Sequence, residues 1–455
     1  MTSDAPAGEQ AREPAEELPV LAFPAEGLPD LVTDQPGLEA AVAALLAGEG
    51  PVAVDTERAQ GFRYSGRAYL IQLRRTGSGT HLIDPVAFSD PEGVAHLDAL
   101  QRAIGPQEWI LHAASQDLPC LVEAGLVPAR LFDTELAGRL LGLPKVGLGA
   151  LVEQFFGQRL LKEHSAADWS RRPLPEEWLV YAALDVELLV PLRDTLEQLL
   201  VDAGKDEWAR QEFAHTLRTF SAPRVERGER WRRTAGIHDV HSRRGMAIVR
   251  ELWMERDEIA ERLDRAPGRT LGDAAITQLA ALASDKTPKP LGRDELRAIP
   301  LFARRPARQY ENNWLAALQR ALDIPVAHLP RLRVVPDGPP PPRSWPHRNP
   351  DAAARWEAAR PAANRRAEEL ELPAENLVSP DTLRRLCWEV EVPANASAAE
   401  LGRMLEAELL ARGARPWQAK ELAPALGAAL AGGGSDAPSD HTTAAEGDQV
   451  DPAGR

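Results

Sequence analysis

The sequence predicts an α/β domain with a mixed sheet, followed by two small all-α domains, and three observations carry that prediction. Short runs of strand character, "VAVDT", "AYLIQLR" and "THLID", come first after residue 50. Helical and strand-like runs then alternate up to residue 135. From about residue 147 onward the pattern is wholly helical. Successive strands make antiparallel neighbours and alternating elements make parallel ones, so the sheet is expected to be partly each.

Each element has its own signal. After the three opening strands an amphipathic stretch around 92–103 predicts a helix, "WILH" a strand, residues 117–124 a helix and "ARLFDT" another strand. Residues 1–20 and 433–455 are polar, small and without periodicity, and read as disordered tails. Between them the α/β domain is assigned to residues 21–222. A charged segment without an apolar stripe, "SAPRVERGERWRRTAG", predicts a linker, taken as 223–242. Ile248, Leu252, Ile259 and Leu263 recur at helical spacing and open an all-α domain at 243–325. The segment "PDGPPPPRSWPHRNP" reads as a stiff polyproline spacer within a linker at 326–349. A second helical domain follows at 350–432. It echoes the first: Pro267 stands four residues before Leu271, with Asp273 as a candidate cap, and Pro373 four before Leu377, with Ser379 as a cap. The two patterns slip by one residue against each other.

Composition bounds the function. At 455 residues the chain is long enough for two to four compact units. No run approaches the ~20 apolar residues that span a bilayer, so no membrane partner is expected. The acidic N-terminus lacks a basic and an apolar signal region, and a cytoplasmic protein is predicted. Cys120 and Cys387 are the only cysteines, which excludes a disulfide framework and a thiolate zinc site. The formal charge is −15, but the two tails carry −4 each, whereas residues 300–350 hold eight Arg against three acids. Acidity overall therefore does not exclude a nucleic-acid partner. Arg richness is weak evidence for one, because the chain uses only six Lys throughout.

The chemistry concentrates in one set of acids. "PVAVDTERAQ" ends a core-bound strand in Asp55 and Glu57, two positions apart and hence on one face. Carboxylates that close raise each other's pKa unless a cation lies between them. "WILHAASQDLP" puts Asp117 just beyond a buried strand, and "EEWLVYAALDVELLV" puts Tyr181 and Asp185 on one face of a helix. Phosphodiester hydrolysis calls for such a set: two hard divalent ions on carboxylate oxygens activate water and screen the leaving oxygen. The chain contains its own control, a second Asp-Thr-Glu at 133–135. There the residues open a helix, so Asp133 reads as a cap and Glu135 as a complement to the positive helix end. Asp84 reads as a turn residue. Asp185 lies among Ala183, Leu184, Val186 and Leu188 and needs a partner.

These motifs resemble the DEDD superfamily of 3′→5′ exonucleases in its tyrosine-bearing subclass: "VAVDTE" its first motif, "HAASQDLP" its second and "YAALDVELL" its third. The stretch "GLGALVEQFFGQRLLKEHSAADWSRRPLPEEWLVYAALDVELLVPL" resembles ribonuclease D almost continuously, although "KEHSAADWS" lacks the Gln often found between the Lys and the Asp-Trp. The likeness spans roughly residues 20–215. Residues 243–325 resemble the helicase-and-RNase-D C-terminal (HRDC) domain, and 350–432 a second, more divergent copy. The resemblance implies an RNase H-like mixed sheet and a metal-dependent 3′→5′ exoribonuclease releasing nucleoside 5′-monophosphates from RNA with a free 3′ end, as in tRNA 3′ processing. It implies two divalent ions, Mg²⁺ or Mn²⁺. Asp55, Glu57 and Asp185 would bind one directly, Asp55 would bridge to a second that Asp117 helps hold, and Tyr181 would orient the attacking water. A DNA-directed exonuclease and a non-catalytic nucleic-acid-binding protein are the alternatives; the complete acid set speaks against the latter. The oligomeric state is left open. All five chemical residues precede residue 190, so the sheet domain is expected to hydrolyse on its own, with the helical domains supplying grip through Arg-rich stretches at 224–233 and 300–333.

Overall fold

A computed structural model describes residues 18–161, 164, 166–222, 228–285, 290–334, 338–393 and 395–432. Residues 1–17 and 433–455 of the two tails, the linker residues 223–227, and Lys162, Glu163 and Ser165 of "KEHSAADWS" lie outside them, whereas Val20, read as the end of the first tail, already pairs in a short strand. The chain divides into two compact units, Met1–Val335 and Pro336–Arg455.

The first unit contains the mixed α/β domain. Its strands are β1 (Val20–Leu21), β2 (Leu31–Val32), β3 (Glu49–Arg58), β4 (Ala68–Thr76), β5 (Gly79–Ile83), β6 (Glu108–Leu111), β7 (Arg130–Asp133) and β8 (Arg159–Leu160). Its helices are α1 (Gln35–Ala47), α2 (Asp98–Ile104), α3 (Leu118–Glu123), α4 (Thr134–Leu140), α5 (Leu148–Phe156), α6 (Glu176–Glu187), α7 (Leu189–Asp202) and α8 (Asp206–Ser221). Six strands form one sheet in the order β2-β5-β4-β3-β6-β7. The three successive strands pair antiparallel, and β6 and β7 add in parallel. β1 and β8 form a separate parallel pair, so the chain beyond residue 147 is not wholly helical.

Position in the sheet decides what β3 can do. Val52, Ala53 and Val54 are fully buried and pair with β4, and Val52 and Ala53 pair with β6 as well, which makes β3 a central strand. Its last residues run past the end of the parallel pairing with β6, toward the carboxyl edge where ligands of such sheets collect. The helix predicted from residue 92 begins only at Asp98, because Ser89 and Ala95 pair in an isolated bridge before it.

The same unit continues into α9 (Arg243–Arg262), α10 (Pro267–Thr270), α11 (Asp273–Ala281), α12 (Arg293–Ala298), α13 (Arg305–Arg308) and α14 (Glu311–Asp323). Ile248, Leu252 and Ile259 on α9 share a core with Ile276, Leu279 and Trp314. Trp231 joins that core at 5% exposure, so part of the segment read as a linker is structural. Asp273 is not a cap. Gly272 occupies that position, and Asp273 instead accepts from Ala235 N at 2.8 Å and from Arg256 Nη1 at 2.5 Å.

The second unit comprises α15 (Trp345–Arg348), α16 (Pro350–Glu369), α17 (Ala374–Leu377), α18 (Pro380–Glu389), α19 (Ala398–Ala411) and α20 (Pro416–Gly432). The spacer reading fails at Trp345. It is fully buried, packs on Trp356 and Trp388, and donates from Nε1 to Pro340 O at 2.6 Å. An indole that can bury both its apolar rings and its N–H stabilises compact packing even in a Pro-rich stretch.

Backbone geometry resolves the one-residue slip. α9 and α16, and likewise α10 and α17, start and end at positions 107 residues apart. Both long helices end in a left-handed residue, Asp264 at φ 42° and Glu371 at φ 51°. The following amide reaches back in each case, Arg265 N to Ala260 O at 2.9 Å and Leu372 N to Ala367 O at 3.1 Å, which is a Schellman closure. Matching the prolines, as the sequence invites, aligns Pro267 with Pro373. The fold aligns Pro373 with Ala266.

Candidate active site

Three elements bring the predicted residues together. Asp55 and Glu57 project from the end of β3, Tyr181 and Asp185 from α6, and Asp117 from the turn that opens α3. Carboxylate oxygens of Asp55, Glu57 and Asp185 all lie within 4.8 Å of one another. Glu57 is buried and Asp55 and Asp185 are half-buried, so the cluster has access to solvent.

Asp117 stands apart from that tight trio and is held differently. It is 5% exposed, and its Oδ1 accepts from Thr56 Oγ1 at 2.7 Å. Thr56 alternates with the two acids and so points to the opposite face of β3. Arg58 lies 3.7 Å from Asp117 Oδ1 and also donates to Gln116 O at 2.8 Å, which fastens the turn. Cys120 completes the contact, with Sγ 3.2 Å from Thr56 Oγ1. Burial pushes its thiol up to about 12, so it is not a nucleophile. Thr56 and Arg58 were not singled out by sequence. Their signal was adjacency to the two acids, but their partner lies about 60 residues away.

Burial dominates the electrostatics, and neighbouring carboxylates add to it at Asp55, Glu57 and Asp185. Burial, then Asp117, Asp185 and Glu57, raise the Asp55 carboxyl well above the ordinary range. Burial, then Asp185 and Asp117, push Glu57 up to about 9. Asp185 is pushed up to about 7 by burial, against the Tyr181 hydrogen bond and with Asp117 adding. Asp117 is pushed up to about 6 by burial, with Thr56 and Arg58 opposing. The protons of such a cluster leave as a coupled set. Among the described residues, Arg58 is the cation paired with it, and it faces Asp117 rather than the trio.

The donor set fits a divalent cation. Three convergent carboxylates offer hard oxygen ligands without His or Cys, the chemistry that Mg²⁺ and Mn²⁺ prefer. A cation there offsets the repulsion that adds to burial in raising Asp55, Glu57 and Asp185.

Tyr181 closes the site. Its hydroxyl bonds to Asp185, and burial together with Asp185, Glu57 and Asp55 raises its pKa. Its ring meets His164 edge-on at 6.1 Å and Trp169 at 6.5 Å. Trp169 is fully buried, and its loop is anchored by Arg172, which donates to both oxygens of Asp84 at 2.7 Å and to Trp169 O and Tyr69 O. Asp84 is thus more than the turn residue that sequence suggested. It both caps a 3-10 turn and anchors this loop.

Comparison with known proteins agrees with this geometry. A 3′–5′ exonuclease family model matches residues 29–201, an HRDC domain model residues 246–318, and a 3′ to 5′ exonuclease C-terminal domain model residues 338–430. A ribonuclease D of Jannaschia sp. (strain CCS1) is 32% identical over 301 residues, covering 65% of this chain and 75% of that one. The crystal structure of a protein from Bifidobacterium adolescentis superposes with a TM-score of 0.80 at 36% identity, covering 91% of this chain and 100% of that one. Escherichia coli RNase D, described as an exoribonuclease involved in structured RNA processing, superposes with a TM-score of 0.60 at 23% identity, over 85% of this chain and 99% of its own. At that identity the last match speaks for the fold.

Proposed function

From the premise that this chain belongs to the ribonuclease D family, and is a 3′→5′ exoribonuclease, we propose that it trims structured RNAs such as tRNA precursors from their 3′ ends. It would release nucleoside 5′-monophosphates with the help of two divalent ions, Mg²⁺ or Mn²⁺. The observation that carries the reading is the convergence of Asp55, Glu57 and Asp185 within 4.8 Å at the end of a central strand.

In this reading Asp55, Glu57 and Asp185 would hold one ion, and Asp55 with Asp117 would help hold the other. When bound, such ions activate water and screen charge on the leaving oxygen. The residues of the chain do the positioning. Thr56 and Arg58 fix the rotamer of Asp117, so its carboxylate is presented without rearrangement. Tyr181 keeps its proton because its surroundings disfavour a phenolate, so its hydroxyl orients the attacking water and does not act as the base. α6 supplies this hydroxyl and the Asp185 carboxylate from one face.

RNA is the proposed partner. Exposed Arg304, Arg305 and Arg308 of the first helical domain offer phosphate contacts, while Arg320 is already paired with Glu251 and Glu255. No helix among the described residues is long and apolar enough to cross a membrane, and the cytoplasm is the proposed location. We assign residues 21–222 to the exonuclease domain and 243–325 to the HRDC domain. The helical domain at 350–432 is assigned as its divergent second copy. The test is degradation of matched RNA and DNA oligomers side by side, with chelator and then with Mg²⁺ or Mn²⁺. Metal-restored hydrolysis of RNA from the 3′ end is expected. Equal rates on DNA would sink the RNA assignment, and hydrolysis that survives chelation would sink the metal site.

A further inference from the structure

The connection between β3 and β4, residues 59–67, leaves the active-site strand directly after Glu57 and Arg58. It is gripped from the first helical domain. Asp264 Oδ1 accepts from Ser65 N at 2.8 Å and Tyr64 N at 3.2 Å, and its Oδ2 accepts from Tyr69 Oη at 3.1 Å. Asp257 Oδ2 accepts from Tyr64 Oη at 3.0 Å. Ala266 N donates to Phe62 O at 3.0 Å, and Arg269 Nε donates to Gly61 O at 2.6 Å, with its guanidinium 4.1 Å from the Phe62 ring centre.

From its other side the same connection meets the wall behind Tyr181. Phe62 and Tyr69 belong to one apolar cluster with Trp169, Ala182, Ala183 and Tyr181. Arg63 Nε donates to Ser170 Oγ at 2.7 Å, and that hydroxyl bonds Asp168 in the Trp169 loop. Contacts are therefore continuous from Asp264 through the connection to the ring of Tyr181.

Two features distinguish this from mere domain attachment. The helical domain satisfies backbone groups of one loop, Gly61 O, Phe62 O, Tyr64 N and Ser65 N, which would otherwise turn to water. And two of these bonds, from Tyr64 N and Ser65 N, end on Asp264, a residue held at φ 42°, a conformation that Asp tolerates better than most side chains. The equivalent residue 107 positions later, Glu371, shares the backbone but carries a longer side chain. The turn is common to both copies, and the short carboxylate belongs to the first.

We propose that Asp264 is a positioning residue for hydrolysis: through it the first helical domain sets the β3–β4 connection and, behind that, the placement of Tyr181. The domain then contributes to turnover as well as to grip, which departs from the sequence-based expectation of an autonomous catalytic sheet. The proposal rests on the reading of Tyr181 as the group that orients water.

The test uses the full chain. Asp264→Gly removes the carboxylate while relieving the left-handed backbone. Amide exchange in residues 61–67 is expected to quicken about tenfold, the scale of losing charge-assisted bonds, with the central strands unchanged. On a saturating short single-stranded RNA, kcat is expected to fall about tenfold, with KM within about twofold and the salt slope of binding unaltered. Asp264→Asn keeps an acceptor for the two amides and should recover most of the rate. Glu371→Gly, at the equivalent turn, should leave kcat unchanged. Unaltered exchange in 61–67 overturns the strut, and unaltered kcat overturns its role in turnover. A loss confined to KM with a flatter salt slope shows that the domain only grips RNA. If Asp264→Gly does not fold, Tyr64→Phe, which deletes the hydroxyl's bonds to Asp257 and Arg230, must lower kcat about twofold or more for the proposal to stand. Failure of the Tyr181 reading shows separately, as an unchanged kcat in Tyr181→Phe.

Discussion

Asp55-Thr56-Glu57 and Asp133-Thr134-Glu135 are the same three residues at the ends of two strands in one sheet, yet they face opposite fates. β3 continues through its copy, so Asp55 and Glu57 stay on one face and converge with Asp185. β7 ends at Asp133, and α4 begins at the next residue. The Asp133 carboxylate then accepts from four backbone amides, those of Ala113, Ala114, Glu135 and Leu136, at 2.9–3.1 Å. Glu135 pairs with Arg139 along the helix. Thr56 reaches Asp117, whereas Thr134 bonds His112 and Leu111 O. A carboxylate supplied with neutral donors is a structural anchor, and one crowded by other carboxylates calls for a metal. Composition is identical; the neighbours decide.

The comparison breaks hardest at Asp55. Asp55→Asn should lower RNA trimming by at least about 10²-fold, the scale of losing one preorganised electrostatic contact. The melting temperature of the chelated protein should stay level or rise, since a repulsive charge is gone. An active variant with unchanged metal dependence would falsify the site.

Tyr181→Phe removes only a hydroxyl. A fall in kcat of roughly 10- to 10³-fold with little change in binding is expected, measured on saturating RNA. A change confined to KM would make Tyr181 a binding or packing residue.

Asp133→Ala tests the structural copy. It strands buried amides and should cost about 2–4 kcal/mol in denaturant unfolding. Because Ala113 and Ala114 lead toward Asp117, some turnover should go with it, but less than at Asp55. A loss of activity as deep as that of Asp55→Asn, without a loss of stability, would reverse the two roles.

Titration separates the two copies only in part, because burial pushes Asp133 up to about 6 as well. Asp117, Asp185 and Glu57 are pushed up to about 6, 7 and 9, above the ordinary value near 4 that they regain on unfolding. The folded, chelated protein therefore binds more protons than the unfolded chain between these limits. Their contribution to stability is complete below about pH 4 and is lost as pH rises through 6 to 9. Thermal melts in chelator should decline across that window, and added Mg²⁺ should flatten the decline. A pH-independent melt would show that burial and crowding do not hold protons on these acids.

Glu135→Gln should be nearly silent, within about 0.5 kcal/mol in stability and unchanged in rate, because a half-exposed helical pair contributes little. A large loss of rate there would bring the second copy into the chemistry.

Much of the site was legible because its geometry is local. Alternation along a strand puts Asp55 beside Glu57, one helical turn puts Tyr181 beside Asp185, and a helix start explains Asp133. These are short-range consequences of backbone periodicity, and the sequence determines them unaided, as it does the mixed sheet. Other features depend on partners far along the chain. Thr56 finds Asp117 across 61 residues and Tyr64 N finds Asp264 across 200, distances at which no periodicity operates. Trp231 and Trp345 lie in charged or Pro-rich stretches with no apolar stripe, so only the cores they enter reveal them as structural. The alignment of the two helical copies was decided by the left-handed residues Asp264 and Glu371, since prolines can shift within a turn while the Schellman closure cannot. Sequence dictated which groups each element offers and on which face. Tertiary packing alone decided which of them meet, because burial and hydrogen bonding act through space and not along the chain.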